Sequence, residues 1–294
     1  MFEDDAKLVL LAGGTSSNIY YRKGDEGEYI IKTYSKDNFN DFFLRFQDKV
    51  SEIFINNFRI NKIIKNNDGR LYKKGHSKML VCYEFISEHK IGIDLRFLRV
   101  CGCNMGKMHN FAYENNDTIM GTIKSETYNS MSGWNKVPKS DYSMPSFDAR
   151  QEIFQALKPF NINQPRIMLH RDFRLHNILS DGKWYYLIDF DFAAKDFCTI
   201  EIGAFITDLL ELNDEAIAAF MESYITHNNF LDRNAYNNIA NDYLNYLCTN
   251  TFPFYMEKKM TRKVFENLVN ERNTRLMTLA RNWSRVQDII EELL

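Results

Sequence analysis

The chain has 294 residues, of which 45% are hydrophobic and 14% aromatic, so it can bury a large core without disulfide or metal staples. Its 37 Lys and Arg residues nearly balance 39 Asp and Glu residues, and a net charge near -2 gives no general attraction to nucleic acid or to an anionic membrane. No run approaches the roughly 18 apolar residues of a membrane span. We therefore expect no nucleic acid and no membrane partner.

The cysteines and the first residues indicate the compartment. The five cysteines are scattered through apolar runs, without the paired spacing of metal ligands and without an even count for disulfides. This distribution predicts buried free thiols. The first residues are acidic where a secretory signal would be basic, and their apolar run is too short for a signal core. A reducing, cytoplasmic location is the expectation.

The first part of the chain has the pattern of a small β-rich lobe. Up to residue 35, β-branched and aromatic runs alternate with turn residues, which predicts three strands joined by hairpins. Apolar residues then recur at helical spacing over residues 40–58, which predicts one helix. A turn at Asp68-Gly69 and the apolar run 79–86 predict further strands, the last of them fully buried. Residues 1–86 form this predicted lobe.

The remaining residues, 87–294, predict a larger lobe. From Ile91 onward the apolar spacing becomes mainly helical. The stretch 114–146 is rich in Asn, Ser, Thr and Gly, and it is predicted to be a substrate-side loop, although whether it is ordered stays open. The predicted fold class is α+β, with a small β-rich lobe before a larger, mostly helical one.

The segment from Leu169 to Ala193 carries the most informative motif, His170-x-Asp172, then Asn177, then Asp189. Apolar runs alternate there with polar turns, so the polar side chains are expected at strand ends and in a loop between strands. Phosphoryl transfer requires a carboxylate that accepts or orients the hydroxyl proton, and oxygen ligands that hold magnesium against nucleotide phosphates. Asn177 and Asp189 suit Mg²⁺, which leaves Asp172 as the candidate base.

These residues resemble the catalytic and metal loops of the aminoglycoside phosphotransferase and choline kinase superfamily. The run IDFDFAAKD, residues 188–196, is similar to type II homoserine kinases and their spore-coat relatives. The run MGKMHN, residues 105–110, resembles the family's helix that ends in Leu-His. The resemblance covers residues 10–210. It implies a bilobal protein-kinase-like fold, in which residues 1–86 bind the nucleotide and residues 87–294 form the catalytic and substrate-binding lobe.

The resemblance implies ATP and Mg²⁺ as cofactors. The loop at residues 13–17 has glycines that permit close backbone approach, and its N–H groups and hydroxyls are suited to phosphate. Lys32, at the end of the YIIK strand, resembles the lysine that contacts the α- and β-phosphates. Glu52 is the acid best placed on the following helix to pair with Lys32, with Asp41 and Asp48 as alternatives.

Adenine is expected between the lobes, where the backbone of Tyr83 and Phe85 would meet its edge and Ile188 and Leu179 would form an apolar floor. The residues that the resemblance assigns to the nucleotide are Gly14, Thr15, Ser16, Ser17, Lys32, Glu52, Tyr83, Phe85 and Ile188.

Four further residues in or after the motif bear on its function. His170 is expected to fix the loop by hydrogen bonding, and not to act in catalysis. Arg171 stands where small-molecule kinases have a small residue, and it is typical of protein kinases. Asp191 is open between a metal or substrate ligand and a turn cap. Glu201 stands where the relatives often carry aspartate.

The leading hypothesis is transfer of the ATP γ-phosphate to a hydroxyl of a small molecule: an amino alcohol, amino acid, sugar or aminoglycoside-type antibiotic. An atypical protein Ser/Thr kinase is an alternative that Arg171 favours, but no APE-like segment follows Asp189 at a useful distance. A nucleotide-binding pseudoenzyme or a spore-coat-like structural protein is the other alternative. The identity of the acceptor, the preference between ATP and GTP, and the oligomeric state stay open.

Overall fold

The structure is a computed structural model that describes most of the two predicted lobes. Most of the predicted substrate-side loop, residues 117–146, lies outside the described part of the chain, as do residues 14–16 of the predicted phosphate loop. The described residues are 8–13, 17–24, 27–36, 39, 41–53, 57–116, 164–249 and 262–294.

A five-stranded antiparallel sheet forms the first part of the molecule. Its strands are β1 (Val9–Gly13), β2 (Ser17–Gly24), β3 (Gly27–Ser35), β5 (Lys73–Lys74) and β6 (Lys78–Glu84), and they lie in the order β1-β2-β3-β6-β5. The three predicted N-terminal strands are present, and the buried apolar run forms β6. The register places Lys32 opposite Val81. Lys32 therefore lies inside β3, and not at its end as the sequence suggested.

The helix predicted over residues 40–58 is shorter in the structure. Helix α1 (Phe42–Val50) ends well before Phe58, which instead begins strand β4 (Phe58–Ile60). Phe58 is fully buried and stacks on Phe173, with ring centroids 5.9 Å apart. Phe58, which the apolar spacing assigned to the helix, instead belongs to a strand that packs against distant residues, so tertiary packing overrides the local helical pattern at this position.

A second, three-stranded sheet joins the two parts of the chain. It has the order β4-β9-β8, with β8 (Ile178–Ser180) and β9 (Tyr185–Leu187) forming a hairpin. Strand β4 pairs with β9 in parallel, and Phe58 lies opposite Tyr185. A strand from the first 86 residues is therefore fixed against the segment that carries Asn177 and Asp189.

The second part is mainly helical, as predicted, and the α+β fold class is confirmed. Asp94 caps the first of these helices, because its carboxylate accepts the N–H of Phe97 at 2.7 Å. The helices are α2 (Leu95–Glu114), α3 (Cys198–Leu209), α4 (Asp214–His227), α5 (Arg233–Asn237), α6 (Ile239–Thr249) and α7 (Arg262–Leu293). Strands β7 (Arg166–Leu169) and β10 (Ala194–Phe197) pair antiparallel among them. Each helix in the described segments is too short or too polar to cross a bilayer.

The predicted buried free thiols are confirmed for the cysteines whose side chains the structure describes. Burial raises the pKa of Cys82 to about 11, so this thiol is a weak nucleophile at neutral pH. The four buried, free cysteines are Cys82, Cys101, Cys103 and Cys198, while the side chain of Cys248 lies outside the described residues.

Helices α2 and α4 approach closely because two glycines of α2 lie at their contact. A Cβ atom built on Gly102 would lie 2.2 Å from the backbone oxygen of Phe220, and one on Gly106 would lie 3.0 Å from that of Tyr224. These neighbours are backbone atoms, which cannot rotate away as a side chain can. The α2–α4 contact therefore requires glycine at position 102.

Gly102→Ala is expected to lower the free energy of unfolding by at least about 2 kcal/mol, because the added methyl group must push the two helices apart. Gly92→Ala is the matched control, since a Cβ at Gly92 meets nothing within 4 Å. The control should stay within about 0.5 kcal/mol of the wild type. Urea unfolding measures both variants, and equal stabilities would contradict the close approach.

Candidate active site

The loop at residues 170–177 connects β7 to β8 and ends in a 3-10 turn, Leu175–Asn177. The side-chain nitrogen Nδ2 of Asn177 donates to the Asp172 carboxylate at 2.7 Å and to the Asp172 backbone oxygen at 2.8 Å. Both amide hydrogens of Asn177 are used in these bonds, so its side-chain oxygen is the atom left for a cation. The Asp172 side chain is 26% exposed. A carboxylate and an amide oxygen thus lie side by side in this loop.

The β8–β9 hairpin brings Asp189 next to Asn177. Ile178 lies opposite Leu187, and the N–H of Ile188 donates to the backbone oxygen of Asn177 at 2.9 Å. Asp189 follows directly, with left-handed dihedrals of φ 65° and ψ 65°. Such a conformation costs an aspartate roughly 1 to 3 kcal/mol and is concentrated at functional sites. The structure brings together the three polar residues that the motif singled out.

The donor atoms of Asn177 and Asp189 fit magnesium. Both side chains offer oxygen, the ligand atom that Mg²⁺ prefers, and the two hydrogen bonds of the Asn177 side-chain nitrogen leave its oxygen as the atom available to a cation. Protein sites for Mg²⁺ typically use one or two carboxylates together with substrate phosphates and water. These two residues therefore suit a magnesium ion that is shared with a nucleotide.

His170 is fully buried and supports the loop, as the sequence predicted. Its Nδ1 accepts the N–H of Asp172 at 3.2 Å, so Nε2 carries the proton and donates to the backbone oxygen of Ile188 at 2.9 Å. The ring also contacts Phe190 edge to face, with centroids 4.3 Å apart. The imidazole thus ties the loop of Asp172 to the strand end that carries Asp189.

Asp172 is held in its ionised form. Burial raises the pKa of Asp172, but the contact of His176, whose Nε2 is 3.6 Å from Oδ2, lowers it, as do the His170 ring and the Asn177 amide. The net result is a pKa below the usual value for aspartate. At neutral pH the side chain is therefore a carboxylate, which is the state that a base or proton-orienting group requires.

Lys32 connects β3 to the segment that carries Asp189 and Asp191. Its Nζ lies 2.7 Å from Oδ1 of Asp189 and 3.3 Å from Oδ1 of Asp191, and the lysine side chain is 10% exposed. Burial lowers the pKa of Lys32, but the charges of Asp191 and Asp189 outweigh this and raise it. The lysine therefore stays protonated, as a phosphate-binding group must.

The predicted ion pair between Lys32 and Glu52 does not form. Glu52 lies on the exposed turn after α1, whereas the ion-pair partners of Lys32 are Asp189 and Asp191. The prediction assumed a helix that continues past Val50, and without that helix Glu52 has no inner face from which to reach the lysine. The two alternatives are paired elsewhere, Asp41 with Arg45 and Asp48 with Lys65.

Part of the backbone that the sequence assigned to the adenine edge is used within the sheet. The backbone of Tyr83 pairs with Ile30 inside the sheet, and the N–H of Phe85 donates to the backbone oxygen of Glu28 at 3.3 Å. These groups are therefore already used within the protein. The Tyr83 side chain is buried instead, and Lys32 Nζ lies 5.9 Å from the centre of its ring.

Among the other residues assigned to the nucleotide, Ile188 and Leu179 are partly buried on the β8–β9 hairpin and its end. Ser17 begins β2, and its hydroxyl donates to Oδ2 of Asp191 at 3.3 Å. Gly14, Thr15 and Ser16 lie outside the described residues.

A buried hydrogen-bonded chain from α2, α3 and α4 supports the loop at residues 170–177. One carboxylate oxygen of Glu201 accepts the N–H of Arg171 at 2.5 Å, and the other contacts Nε2 of His109 at 2.8 Å. His109 Nδ1 contacts the Tyr224 hydroxyl at 2.8 Å, and Asn228 donates to that hydroxyl at 3.0 Å. Arg171 has a left-handed φ of 64°. Glu201 therefore holds a strained residue directly before Asp172.

Glu201→Gln should leave one buried N–H group, of Arg171 or His109, without an acceptor. We expect the free energy of unfolding to fall by about 1 to 3 kcal/mol, and turnover to fall because the loop that carries Asp172 is less well fixed. Glu211→Gln is the control, since Glu211 is exposed on the turn after α3. Denaturant unfolding compares the two variants, and equal stability would show that Glu201 does not support the loop.

The two arginines of the loop are paired inside the protein. Arg174 forms a bidentate pair with Asp208, with Nε 2.7 Å from Oδ2. Nε of Arg171 lies 3.3 Å from Oδ2 of Asp196, and its guanidinium lies 5.4 Å from the centre of the Tyr246 ring. Both side chains are largely buried. The Arg171 side chain, which the sequence compared with protein kinases, therefore has a supporting role here.

Comparison with known proteins connects this geometry to a family. A family model described as "Phosphotransferase enzyme family" matches residues 130–234, which include the loop at residues 170–177 and Asp189. No curated protein matches the sequence.

Three solved structures share the fold across nearly the whole chain. Amicoumacin kinase hAmiN, in complex with AMP-PNP, Ca²⁺ and Ami, has a TM-score of 0.66 and 13% identity, covering 92% of this chain and 87% of that one. The microcompartment-associated aminopropanol kinase has a TM-score of 0.66 and 13% identity, covering 97% and 94%. Choline kinase from Cryptosporidium parvum Iowa II has a TM-score of 0.52 and 12% identity, covering 98% and 93%.

These structures are too distant in sequence to show more than a shared fold, while the family model covers the segment that holds the candidate catalytic residues. Together they confirm that the chain has a kinase-like fold and resembles the aminoglycoside phosphotransferase and choline kinase superfamily.

Proposed function

We propose that the chain is an ATP-dependent O-phosphotransferase that moves the γ-phosphate to a hydroxyl group of a small molecule. The observation that carries this proposal is the meeting of Lys32 from the first sheet with Asp189, beside Asp172 and Asn177. A carboxylate base, two oxygen ligands and a buried lysine are the set that phosphoryl transfer uses. The family match and the kinase names of the structural neighbours support the same reaction class.

Asp172 is the proposed base. Its pKa is lowered and its side chain is partly exposed, so it is ionised and open to an acceptor hydroxyl. The transition state of phosphoryl transfer is loose, and Asp172 therefore acts as much by orienting the hydroxyl as by removing its proton. The Asn177 amide and the His170 ring hold Asp172 in place for this role.

Asn177 and Asp189 are the proposed ligands of Mg²⁺. Bound there, the ion would neutralise charge on the phosphates and on the transferred phosphoryl group. Lys32 is the proposed partner of the α- and β-phosphates. Because Lys32 and Asp189 contact each other at 2.7 Å, each must exchange part of this contact for its own ligand when the nucleotide binds.

The remaining residues of the proposed nucleotide site are assigned by the resemblance. Gly14, Thr15, Ser16 and Ser17 are proposed to bind phosphate, and Ile188 to lie below the adenine. Since the sheet uses the backbone of Tyr83 and the N–H of Phe85, the adenine edge is proposed to meet the loop that follows β6.

The acceptor is proposed to bind to the lobe of residues 87–294. The neighbours' names include kinases of aminopropanol, choline and amicoumacin. A panel of candidate acceptors should therefore begin with amino alcohols and hydroxylated antibiotics and continue with amino acids and sugars. The test incubates the protein with ATP and Mg²⁺ and analyses each acceptor by mass spectrometry. One acceptor should gain a phosphate group, and none should do so when Mg²⁺ is chelated.

Two other outcomes would replace this proposal. Phosphorylation of Ser or Thr in a protein substrate, with no small acceptor modified, would favour the protein kinase. Nucleotide binding without transfer to any acceptor would favour the pseudoenzyme.

A further inference from the structure

The side chain of Lys32 is held from two sides, by carboxylates in different environments. Asp189 is 34% exposed and lies beside Asn177, whereas the Asp191 side chain is 5% exposed. Both come from a segment more than 150 residues away in the chain. The helix α1, where a partner acid was expected, provides neither.

Asp191 is anchored by donors from the first sheet. Its Oδ1 accepts the Tyr34 hydroxyl at 2.8 Å in addition to Lys32 Nζ at 3.3 Å, and its Oδ2 accepts the Ser17 hydroxyl at 3.3 Å. Tyr34 and Ser17 are themselves buried. These donors compensate the burial of the Asp191 carboxylate and fix its position.

The Tyr34 hydroxyl is in turn part of a buried pair with Tyr83. Burial, the neighbouring Tyr83 and the charge of Asp191 raise the pKa of Tyr34 well above its usual value. Tyr34 therefore stays a hydrogen-bond donor at all physiological pH values. Lys32 and Tyr34 are two residues apart in β3, so both side chains lie on the same face of the sheet and can reach Asp191 together.

The two carboxylates are suited to different tasks. Asp189 is the more exposed, and it directly follows Ile188, whose N–H donates to the backbone oxygen of Asn177, so it is the one able to turn to a cation when the nucleotide binds. Lys32 then loses its shorter contact, at 2.7 Å. The remaining ion-pair partner in the described structure is Asp191, at 3.3 Å.

We propose that Asp191, anchored by Tyr34 and Ser17, is the residue that positions Lys32 for the nucleotide phosphates. This inference rests on the proposed function, because it assigns Asp191 a role in nucleotide binding. It gives Asp191 the task that the sequence gave to Glu52. In this proposal Asp191 is not a ligand of the cation, because its carboxylate forms an ion pair with Lys32.

The test measures ATP affinity in the presence of Mg²⁺ by isothermal titration calorimetry. Asp191→Asn keeps the shape of the side chain and removes its charge, and it should weaken ATP binding by at least about tenfold. Tyr34→Phe should also weaken ATP binding, by about two- to tenfold, because Asp191 loses the hydrogen bond from the Tyr34 hydroxyl. Glu52→Gln should stay within about twofold of the wild type.

A double-mutant cycle separates positioning from a general structural effect. In a Lys32→Met background, Asp191→Asn should change ATP affinity by less than about twofold, because the group it positions is absent. A full tenfold loss in that background would overturn the proposal. So would recovery of Asp191→Asn binding at high Mg²⁺ concentration, since that would make Asp191 a cation ligand.

The outcomes distinguish this inference from the proposed function. A wild type that does not bind ATP contradicts the proposed function itself. A wild type that binds ATP, together with an Asp191→Asn variant of equal affinity and equal thermal stability, contradicts only the role of Asp191. A large loss of ATP affinity in Glu52→Gln would show instead that Glu52, on the turn after α1, positions Lys32.

Discussion

Asp172→Asn is expected to lower kcat by about 10²- to 10⁴-fold, the usual contribution of a general base. Asparagine has the same shape, and its side-chain oxygen can still accept the hydrogen bond that Asn177 donates at 2.7 Å. The KM for ATP should change little, because Asp172 is assigned to the acceptor hydroxyl and not to the nucleotide. Steady-state kinetics with the acceptor found in the panel measures both constants.

The same residue sets the expected pH dependence. The pKa of Asp172 is lowered in the folded protein, so the carboxylate stays ionised below the pH at which an ordinary aspartate becomes protonated. Turnover should therefore persist through the normal range of aspartate titration and decline only as the pH falls through the lowered pKa. Full turnover by Asp172→Asn would contradict the assignment of Asp172 as base.

Asp189→Asn is expected to reduce kcat/KM by at least about 10²-fold, since loss of a charged ligand removes several kcal/mol of stabilisation by the metal ion. Asparagine tolerates the left-handed backbone that Asp189 adopts (φ 65°), so the fold should survive the change. Raising the Mg²⁺ concentration should recover part of the activity. Titration of turnover against Mg²⁺ measures this shift.

Lys32→Met is the comparison for Asp189→Asn, because the two side chains contact each other. The lysine variant should weaken ATP binding with little change in the Mg²⁺ concentration that gives half-maximal turnover. If both variants shift the Mg²⁺ dependence equally, Asp189 acts through the lysine and its role as a cation ligand is wrong.

The parts of the site that the sequence predicts are those built from neighbouring residues. Asp172, Asn177 and Asp189 lie within one loop and one hairpin, and short-range pairing between β8 and β9 brings them together. The alternation of apolar runs and polar turns is enough to indicate that arrangement. The hydrogen-bonding role of His170 follows from the same local geometry.

Long-range contacts set the parts that the sequence did not predict. The partner of Lys32 is separated from it by 159 residues, and the choice of Asp191 over Glu52 depends on where α1 ends. Phe58, which was expected in the helix, stacks against Phe173 instead, a contact that local spacing cannot reveal. The pairing of Arg174 with Asp208, 34 residues later, carries no local signal either.

One signal in the sequence could have been used further. Lys32 and Tyr34 are two residues apart in a predicted strand and therefore lie on one face of it, and Asp191 is a second acid two residues after Asp189. A buried lysine facing two acids is better compensated than one facing a single acid. The Lys32–Asp191 pair was therefore open to prediction as soon as both segments were placed at one site.

Every role assigned to these residues requires that the site bind a nucleotide together with a divalent cation. Isothermal titration of the wild-type protein with ATP, with and without Mg²⁺, tests this requirement before the acceptor is known. We predict one binding site whose affinity falls when Mg²⁺ is chelated and falls again in Asp189→Asn. Absence of ATP binding with Mg²⁺ present would contradict the assignment of a kinase site to Lys32, Asn177 and Asp189.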